Sequence, residues 1–307
     1  MKKAYLTLVF LLSSLTIATI SNAGELSAKA GLGIIFINKA DNLWGRGKGD
    51  NIDLNSAPKS RSRVLTVPMI EAKYKSGSKD TEYYLGALSD EPSSISLGLK
   101  NSFGKKSFDA HAFYSFAGSV WEDPYVSNRV RTDMKEYGAR LTYTQKEFLL
   151  TYRLALVDVQ NDVVGSRFSD LKRDGSVHLF KGALRIPLHK GLSLNPGAQY
   201  EIGSFRGESN SYTGVGLSLG LNYNAGDLNI NTNIHAKKND FNKDNPIFSE
   251  KRQDKAAGAS VIATLANPLG FNDFFVSAGL TADKTDSNIR FFDRRAETLF
   301  FGAGYKF

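Results

Sequence analysis

Hydrophobic and polar residues alternate along most of the chain, and "DLNINTNIHAKK" at residues 227–238 shows the pattern clearly. Successive side chains of a β-strand point to opposite sides. Leu228 and Ile230 therefore fall on one face, and Asn229 and Asn231 on the other. In a soluble sheet the asparagines would face bulk water, whereas in a membrane barrel they would face the lumen and the aliphatic residues would face lipid.

The same alternation recurs in segments of about ten residues separated by turn sequences. Examples are "SAKAGLGIIFIN", "VLTVPMIEAKY", "SFDAHAFYSFAGS", "EFLLTYRLALV" and "SYTGVGLSLGLNY". Long polar stretches at residues 39–63, 158–175, 241–255 and 283–295 are predicted to be loops. The series predicts an all-β chain of about 14 strands, within a range of 12–16.

The connections between the predicted strands mostly alternate between long and short. The short ones are "KSGSKD", "FGKK", "QK", "HKG", "NAGD" and "NPLGFN", and they all fall at one end of the strands. Outer-membrane barrels have short periplasmic turns, longer extracellular loops and an even number of strands. The sequence therefore predicts a single transmembrane antiparallel β-barrel, with the turn "DEPS" as an exception because it is short on the long side.

The chain begins with a segment typical of export. Lys2 and Lys3 precede an apolar run, and Ala23 completes a small-residue cleavage site. We expect residues 1–23 to be a cleaved signal peptide and residues 24–307 to be the barrel. The alternative is an uncleaved anchor, but the apolar run is short and contains serines. No cysteine is present, so disulfides and a lipid-anchored N-terminus are both excluded.

The mature chain is expected to be basic. Without Lys2 and Lys3 it has 37 basic and 31 acidic residues, a net charge of about +6. An exported protein rarely meets nucleic acid, so no nucleic-acid partner is expected. Anionic solutes and the anionic headgroups of lipopolysaccharide in the outer leaflet are the expected partners, together with the lipid bilayer.

The chain ends in "TLFFGAGYKF", where Phe307, Tyr305, Ala303, Phe301 and Leu299 share one face. This resembles the C-terminal signature strand of Gram-negative outer-membrane β-barrels, which the barrel-assembly machinery recognises. The resemblance implies that Tyr305 and Phe307 form the assembly signal. The layout is also similar to monomeric fourteen-stranded porins and to uncharacterised families of outer-membrane proteins with domains of unknown function.

If Phe307 faces lipid, alternation assigns a face to every strand. The outward set is strongly apolar, and tyrosines near the strand ends are placed as in an interfacial aromatic girdle. A sandwich core filled by the same aromatic residues is the alternative. The inward set mixes small, polar and charged residues, and the predicted pore-lining residues are Lys29, Lys73, Lys100, Asp109, His111, Arg140, Arg153, Lys181, Arg185, Asn229, Asn231, Asn233 and His235.

A barrel of about fourteen strands is wide enough for a water-filled channel unless a long loop folds inward. We therefore expect a porin-like channel for small hydrophilic solutes. Arg140, Arg153, Lys181 and Arg185 belong to three consecutive strands and could make the pore anion-preferring. The alternative is surface binding, adhesion or a structural role through the basic loops "KSRSR" and "NKDNPIFSEKRQDK".

An outer-membrane hydrolase is the third hypothesis. It needs a nucleophile with a base, or an acid and a histidine that activate water. Asp109 and His111 form the best pair in the sequence, but such a pair on an inner wall is more often structural, so no catalytic residue and no enzyme activity is expected. No metal-binding motif occurs, and no metal or cofactor is expected.

Overall fold

The computed structural model describes residues 24–45, 52–78, 80–87 and 94–307, without the side chains of residues 116 and 117. The predicted signal peptide therefore lies outside the described residues. The strands are β1 (Gly24–Ala40), β2 (Ser60–Ser76), β3 (Thr81–Gly86), β4 (Ser94–Phe103), β5 (Lys106–Trp121), β6 (Arg131–Gln145), β7 (Phe148–Val159), β8 (Gly175–Leu184), β9 (Ile186–His189), β10 (Leu192–Phe205), β11 (Tyr212–Ala225), β12 (Leu228–Asn245), β13 (Glu250–Ala266), β14 (Phe274–Ser287) and β15 (Arg294–Lys306).

The strands close into one antiparallel barrel. β15 pairs with β1 from Lys29 opposite Lys306 to Ala40 opposite Arg295, so the sheet has no free edge. β8 and β9 both pair with β10, and only Arg185 separates them. They form one strand of the wall, so the barrel has fourteen strands, as the alternation of the sequence predicts.

The outer surface carries a continuous band of exposed apolar side chains. It includes Leu32, Ile34 and Phe36 of β1, Val215, Leu217 and Leu219 of β11, and Leu299, Phe301 and Tyr305 of β15. These residues lie on the same face as Phe307, so the outward set inferred from the C-terminal strand is confirmed. A closed barrel with such a band has the architecture of an outer-membrane protein, and not that of a soluble sandwich.

The two ends of the barrel differ. At one end, here called the turn end, lie both described termini and the described residues of the connections 77–78 with 80, 104–105, 146–147, 190–191, 226–227 and 267–273. At the other end, here called the loop end, lie the described residues of seven connections: 41–45 and 52–59 of the first, 87 of the second, 122–130 of the third, 160–174 of the fourth, 206–211 of the fifth, 246–249 of the sixth and 288–293 of the seventh. Gly226 has φ +57°, a conformation that favours glycine in a two-residue turn.

Two predicted long loops are mostly strand. β12 and β13 leave only residues 246–249 between them, and β14 and β15 leave only residues 288–293. The predictions were wrong because the strands continue past the apolar band. There both faces are polar or covered by loops, so hydrophobic alternation no longer marks a strand.

The helical segments are short and belong to connections. They are the α-helix α1 (Val163–Arg167) and the 3₁₀ turns Ser169–Leu171, Glu208–Asn210, Pro268–Gly270 and Arg290–Phe292. Among the described residues no helix has the length and hydrophobicity needed to cross a membrane.

Candidate functional site

All thirteen predicted pore-lining residues lie on the inner face of the barrel. Residues that lie opposite each other on neighbouring strands share a face of the sheet. Lys29 therefore lies on the same face as Glu71, and His111 lies on the same face as Arg140 and Arg153. These residues alternate with the exposed apolar residues of the outer band. Whether they line a conducting pore stays a prediction.

The asparagines of β12 form a polar ladder in the turn-end half of the lumen. The side-chain amide of Asn231 donates to Asn229 Oδ1 over 2.5 Å, and that of Asn229 donates to Asn224 Oδ1. Asn231 is exposed although it faces inward, so this part of the lumen is open to water. His235 Nε2 lies 3.3 Å from Asp283 Oδ1 on β14, further along the same inner face.

Ion pairs along the wall hold several of the predicted basic residues. Lys29 Nζ lies 2.9 Å from Glu71, and Lys73 Nζ lies 3.4 Å from Glu71 and 3.6 Å from Glu82. Arg153 pairs with Glu136 at 2.5 Å. Of the predicted basic patch, Arg153 is therefore compensated by an acid on its neighbouring strand.

Lys181 differs from these residues. It is half-buried on β8, and within the described part of the chain no carboxylate lies at ion-pair distance from its amine. The cationic side chain of Arg140 on β6 acts on it and repels it. Lys181 therefore adds positive charge to the inner wall that no described carboxylate compensates at ion-pair distance.

The pair of Asp109 and His111 forms a packed network with Tyr84. The hydroxyl of Tyr84 donates to Asp109 Oδ1 over 2.6 Å and lies 3.0 Å from His111 Nδ1. His111 is only 6% exposed, and its Nε2 has no hydrogen-bond partner among the described residues. His111 is buried against Tyr84 and Gly98, and a structural role for the pair stays a prediction.

Five connections at the loop end pack into one apolar cluster, here called the cap. It is formed by Leu43, Ile52 and Leu54 of the first connection, Tyr125 of the third, Val164, Phe168 and Leu171 of the fourth, Ile247 and Phe248 of the sixth, and Ile289, Phe291 and Phe292 of the seventh. These connections start from all sides of the barrel. The loops therefore fold inward across the mouth. The sequence predicts a water-filled channel only where no long loop does so.

A buried ion pair fastens the cap to the barrel wall. Arg252 donates to Asp254 through Nε at 2.9 Å and Nη2 at 2.5 Å, and both residues are buried. The guanidinium of Arg252 lies over the rings of Phe241 at 4.4 Å and Phe292 at 4.1 Å. Arg252 belongs to "NKDNPIFSEKRQDK", so this basic residue of the adhesion hypothesis is buried, whereas Lys243, Lys251 and Lys255 of the same segment are exposed.

The centre of the cap is dry enough to affect the ionisation of a phenol. Tyr125 is buried against Phe248, Phe291 and Phe292, and its hydroxyl accepts a hydrogen bond from Asn245 Nδ2 over 3.3 Å. Burial raises the pKa of Tyr125 above its usual value. The residue is therefore a neutral phenol that serves packing.

A hydrogen-bonded chain on the outer surface was missed by the sequence analysis. Ser176 Oγ lies 3.2 Å from His178 Nε2, and Tyr152 Oη lies 2.9 Å from His178 Nδ1. All three share the outward face of β7 and β8 near the loop end. The order along β8 is Ser-x-His, and Tyr152 comes from the neighbouring strand, a contact that spacing along the chain does not show.

The described part of the chain contains no cluster of histidine and acidic side chains that could hold a metal ion.

Comparison with solved structures finds bacterial outer-membrane barrels. The outer membrane channel DcaP of Acinetobacter baumannii is 9% identical, with 92% of this chain and 97% of that chain covered and a TM-score of 0.43. The beta domain of the Bordetella autotransporter BrkA is 12% identical, with 91% and 100% covered and a TM-score of 0.44. A Pseudomonas aeruginosa FadL homologue is 10% identical, with 92% and 90% covered and a TM-score of 0.42. Likeness at this level supports no assignment of function.

A comparison with curated proteins found no match. The profile of one family, described as "Protein of unknown function (DUF2860)", matches residues 26–306, which include almost the whole barrel. The chain therefore belongs to the DUF2860 family.

Proposed function

We propose that this protein is an outer-membrane channel for small hydrophilic solutes, and that the cap controls its outer mouth. The observation that carries the proposal is the contrast between the two halves of the lumen. In the turn-end half, Asn229, Asn231 and Asn233 face water across a polar wall. At the loop end, the cap crosses the mouth. A water-accessible lumen below a folded set of loops is the arrangement expected of a channel that opens when its loops move.

The orientation follows from the ends of the barrel. We place the turn end in the periplasm and the loop end outside the cell, because outer-membrane barrels have short turns on the periplasmic side. Residues 1–23 would then direct export and be removed. The barrel-assembly machinery would recognise Tyr305 and Phe307, whose rings lie 5.1 Å apart on the outer face of the last strand.

Lipopolysaccharide is the proposed partner at the outer leaflet. Lys238, Lys255, Lys284 and Arg295 are exposed on the outward face of β12–β15 near the loop end. Lys238 lies opposite Lys255, and Lys284 lies opposite Arg295. Like charges placed directly opposite on a sheet repel each other. Acidic residues beside these basic side chains relieve part of that repulsion, and phosphate groups of the lipid would relieve more of it.

A weak anion preference is also proposed. Several basic residues of the lumen, among them Lys29, Lys73 and Arg153, are ion-paired, whereas Lys181 has no carboxylate at ion-pair distance among the described residues. A local excess of positive charge raises the concentration of anions in a narrow aqueous passage.

Planar bilayers test the proposal. We expect the purified barrel to show brief openings with a small mean conductance, and a reversal potential in a potassium chloride gradient that favours chloride. Lys181→Glu should shift that reversal potential towards the potassium value, whereas Lys29→Gln should shift it less, because Lys29 is paired with Glu71. Absence of conductance both from the intact barrel and from a variant with a loosened cap would reject the channel.

A further inference from the structure

A small cavity lies at the loop end, between the first and third connections. Ile52, which lines it, also packs against the cap. The volume of the cavity is about 80 Å³, and one side is open to solvent. A water molecule needs about 10–15 Å³ of such space, so the cavity has room for roughly five to eight groups of that size. A phosphate group, with one phosphorus and four oxygen atoms, fits this volume.

The side chains around the cavity carry an excess of positive charge. The charged ones are Lys39, Lys59, Arg61, Arg129, Asp41 and Asp53. Four are basic and two are acidic, so their net charge is +2, whichever of them pair with each other. A phosphate monoester carries a charge of about −1.5 to −2 at neutral pH and offers three strong acceptor oxygens. The cavity and such a group therefore match in charge as well as in size.

Two of the basic residues place the cavity on the lumen side of the wall. Lys39 and Arg61 lie opposite each other in the register of β1 and β2. They face inward, because they alternate with residues of the outer apolar band such as Phe36. A solute therefore reaches them from the aqueous mouth and not from the membrane. Arg61 and the exposed Lys59 belong to "KSRSR", the basic segment that the sequence indicates for surface binding.

Both tryptophans of the chain line the cavity and hold two of its cations in place. The amine of Lys39 lies 5.1 Å from the ring centre of Trp44, and the guanidinium of Arg129 lies 4.6 Å from that of Trp121. A cation over an indole ring is attracted to it. Trp121 is buried, so its ring supports Arg129 and is not a surface on which a solute could stack. Cations that are positioned before a ligand arrives lose less freedom when it binds.

The backbone around the cavity is fixed by strand-like pairing. Trp44 forms a β-bridge with Val120, and the N–H of Gly45 donates to the carbonyl of Ser119 over 2.9 Å. The hydroxyl of Ser119 donates back to the carbonyl of Gly45 over 3.0 Å. The first connection is thus joined to the end of β5, which brings the two tryptophans to one site.

Asn42 links the cavity to the cap. Its carbonyl accepts a hydrogen bond from Arg129 Nη1 over 3.1 Å, and its side-chain amide donates to the carbonyl of Phe291 over 3.0 Å. Arg129 belongs to the third connection and Phe291 to the seventh. A ligand held by Arg129 and Lys39 would therefore join connections that form the cap.

We infer that this cavity binds the phosphate group of small soluble phosphate monoesters. Arginine and lysine form charge-assisted hydrogen bonds with phosphate oxygens, which are stronger than bonds between neutral groups. The inference deepens the proposed channel, on which it rests for the route of the solute, by naming the class of solute recognised at the outer mouth. Asp41 and Asp53 limit the net charge, so that a single phosphate group compensates it.

The first test is a binding measurement that does not require conduction. The purified protein in nanodiscs of zwitterionic lipid is titrated by calorimetry with glycerol 3-phosphate and with glycerol, and empty nanodiscs provide the baseline. The two probes differ only in the phosphate group. We expect one molecule of glycerol 3-phosphate to bind per barrel and glycerol to give no binding heat at the same concentrations.

Variants of opposite sign assign the site. Lys59→Gln removes an exposed positive charge and should weaken the binding of glycerol 3-phosphate by about fivefold. Asp53→Asn removes a negative charge and should tighten it by about threefold. Asn at this position keeps an oxygen that can accept the N–H of Asn55, as Asp53 Oδ1 does over 2.9 Å. A misfolded variant would not bind more tightly. Lys190→Gln is the matched control, because Lys190 is exposed at the turn end and should leave the affinity unchanged.

Protection from proteolysis gives a second readout. Arg129 lies in the third connection, so opening of residues 122–130 would remove part of the site. A ligand that binds only the closed form reduces the open population by about tenfold at ten times its dissociation constant. We expect glycerol 3-phosphate, but not glycerol, to slow cleavage within residues 122–130 by about that factor.

Absence of binding by glycerol 3-phosphate, or binding that neither Lys59→Gln nor Asp53→Asn changes, would overturn the inference. Loss of the affinity in nanodiscs that contain lipopolysaccharide would assign the cavity to a lipid phosphate and would also overturn it. Binding as expected from a protein that does not conduct would reject the channel and keep the site. Conductance without binding would reject the site and keep the channel.

Discussion

The rings of Tyr125 and Phe248 lie 5.9 Å apart although their connections leave the barrel on nearly opposite sides. Tyr125 follows β5, and Phe248 joins β12 to β13, about half a circumference away in the closed ring. Contact between them requires both connections to cross the mouth. This contact is the reason to regard the cap as a barrier and not as a set of independent surface loops.

Phe291→Ala should loosen the cap and leave the barrel intact. Phe291 is fully buried among Tyr125, Phe248 and Phe292, and removing such a ring costs about 3–5 kcal/mol. The cost falls on the loops, because the strand ladder does not involve this residue. We expect faster proteolysis within residues 122–130 and 246–249, and longer openings in planar bilayers.

Phe271→Ala is the matched control for that variant. Phe271 is exposed in the connection 267–273 at the turn end, so its loss should change neither proteolysis nor conductance. If Phe291→Ala conducts and resists protease like the unmodified protein, the cap is not what limits passage.

Asp254→Asn should destabilise the cap more than a surface change would. Arg252 would remain buried with only a neutral acceptor, and Arg294, whose Nη2 lies 3.6 Å from Asp254, would lose its partner too. A buried charge that loses its counterion costs about 3–5 kcal/mol. Urea-dependent proteolysis of the loops measures the effect.

The double variant Arg252→Met with Asp254→Leu separates charge from shape. It removes both buried charges and should recover much of the protease resistance lost in Asp254→Asn. If the double variant is as sensitive as the single one, specific hydrogen bonds hold the cap, and not the balance of charge.

Fold and site differ in how far the sequence reveals them. The outward set was predictable because Phe307 fixes one face and alternation carries it through every strand. The cap was not, because its members, such as Tyr125 and Ile289, stand in polar loops and meet only in three dimensions. The apolar residues that face inward on β1 and β2, such as Ile35 and Leu65, escaped prediction for another reason. In "LGIIFI" and "VLTVPMI" both faces are apolar, so a period of two residues cannot distinguish the lumen from lipid.

Ser176 is not expected to react as a hydrolytic nucleophile. Its contact with His178 is of suitable length, but Tyr152 stands where an acid would strengthen the base. β8 is also paired on both sides at these residues, so its backbone N–H groups are engaged in the sheet and cannot stabilise an oxyanion. A fluorophosphonate probe should label the intact protein no more than Ser176→Ala. Labelling that Ser176→Ala and His178→Ala both abolish would establish an esterase site.

Phe307→Ala should impair assembly in cells more than it impairs the folded barrel. The backbone of Phe307 pairs with Ala28 through bonds of 2.8 and 3.1 Å, and its ring is 72% exposed on the outer face. The substitution therefore removes little packing. We expect unchanged thermal stability after folding into lipid vesicles and a several-fold lower amount in the outer membrane. Equal losses in both measurements would indicate a purely structural role.

Single cysteines should report which side of each strand meets water. The natural chain has none, so a cysteine introduced at one position gives an unambiguous signal. Asn231→Cys on the inner face should react with a charged thiosulfonate, whereas Ile234→Cys, 56% exposed on the apolar outer band, should react only with a lipid-soluble maleimide. Because the cap covers the loop end, labelling of Asn231→Cys should be slow in intact cells and should accelerate when Phe291→Ala is combined with it. Rapid labelling of Ile234→Cys by the charged reagent would contradict a membrane-facing outer wall.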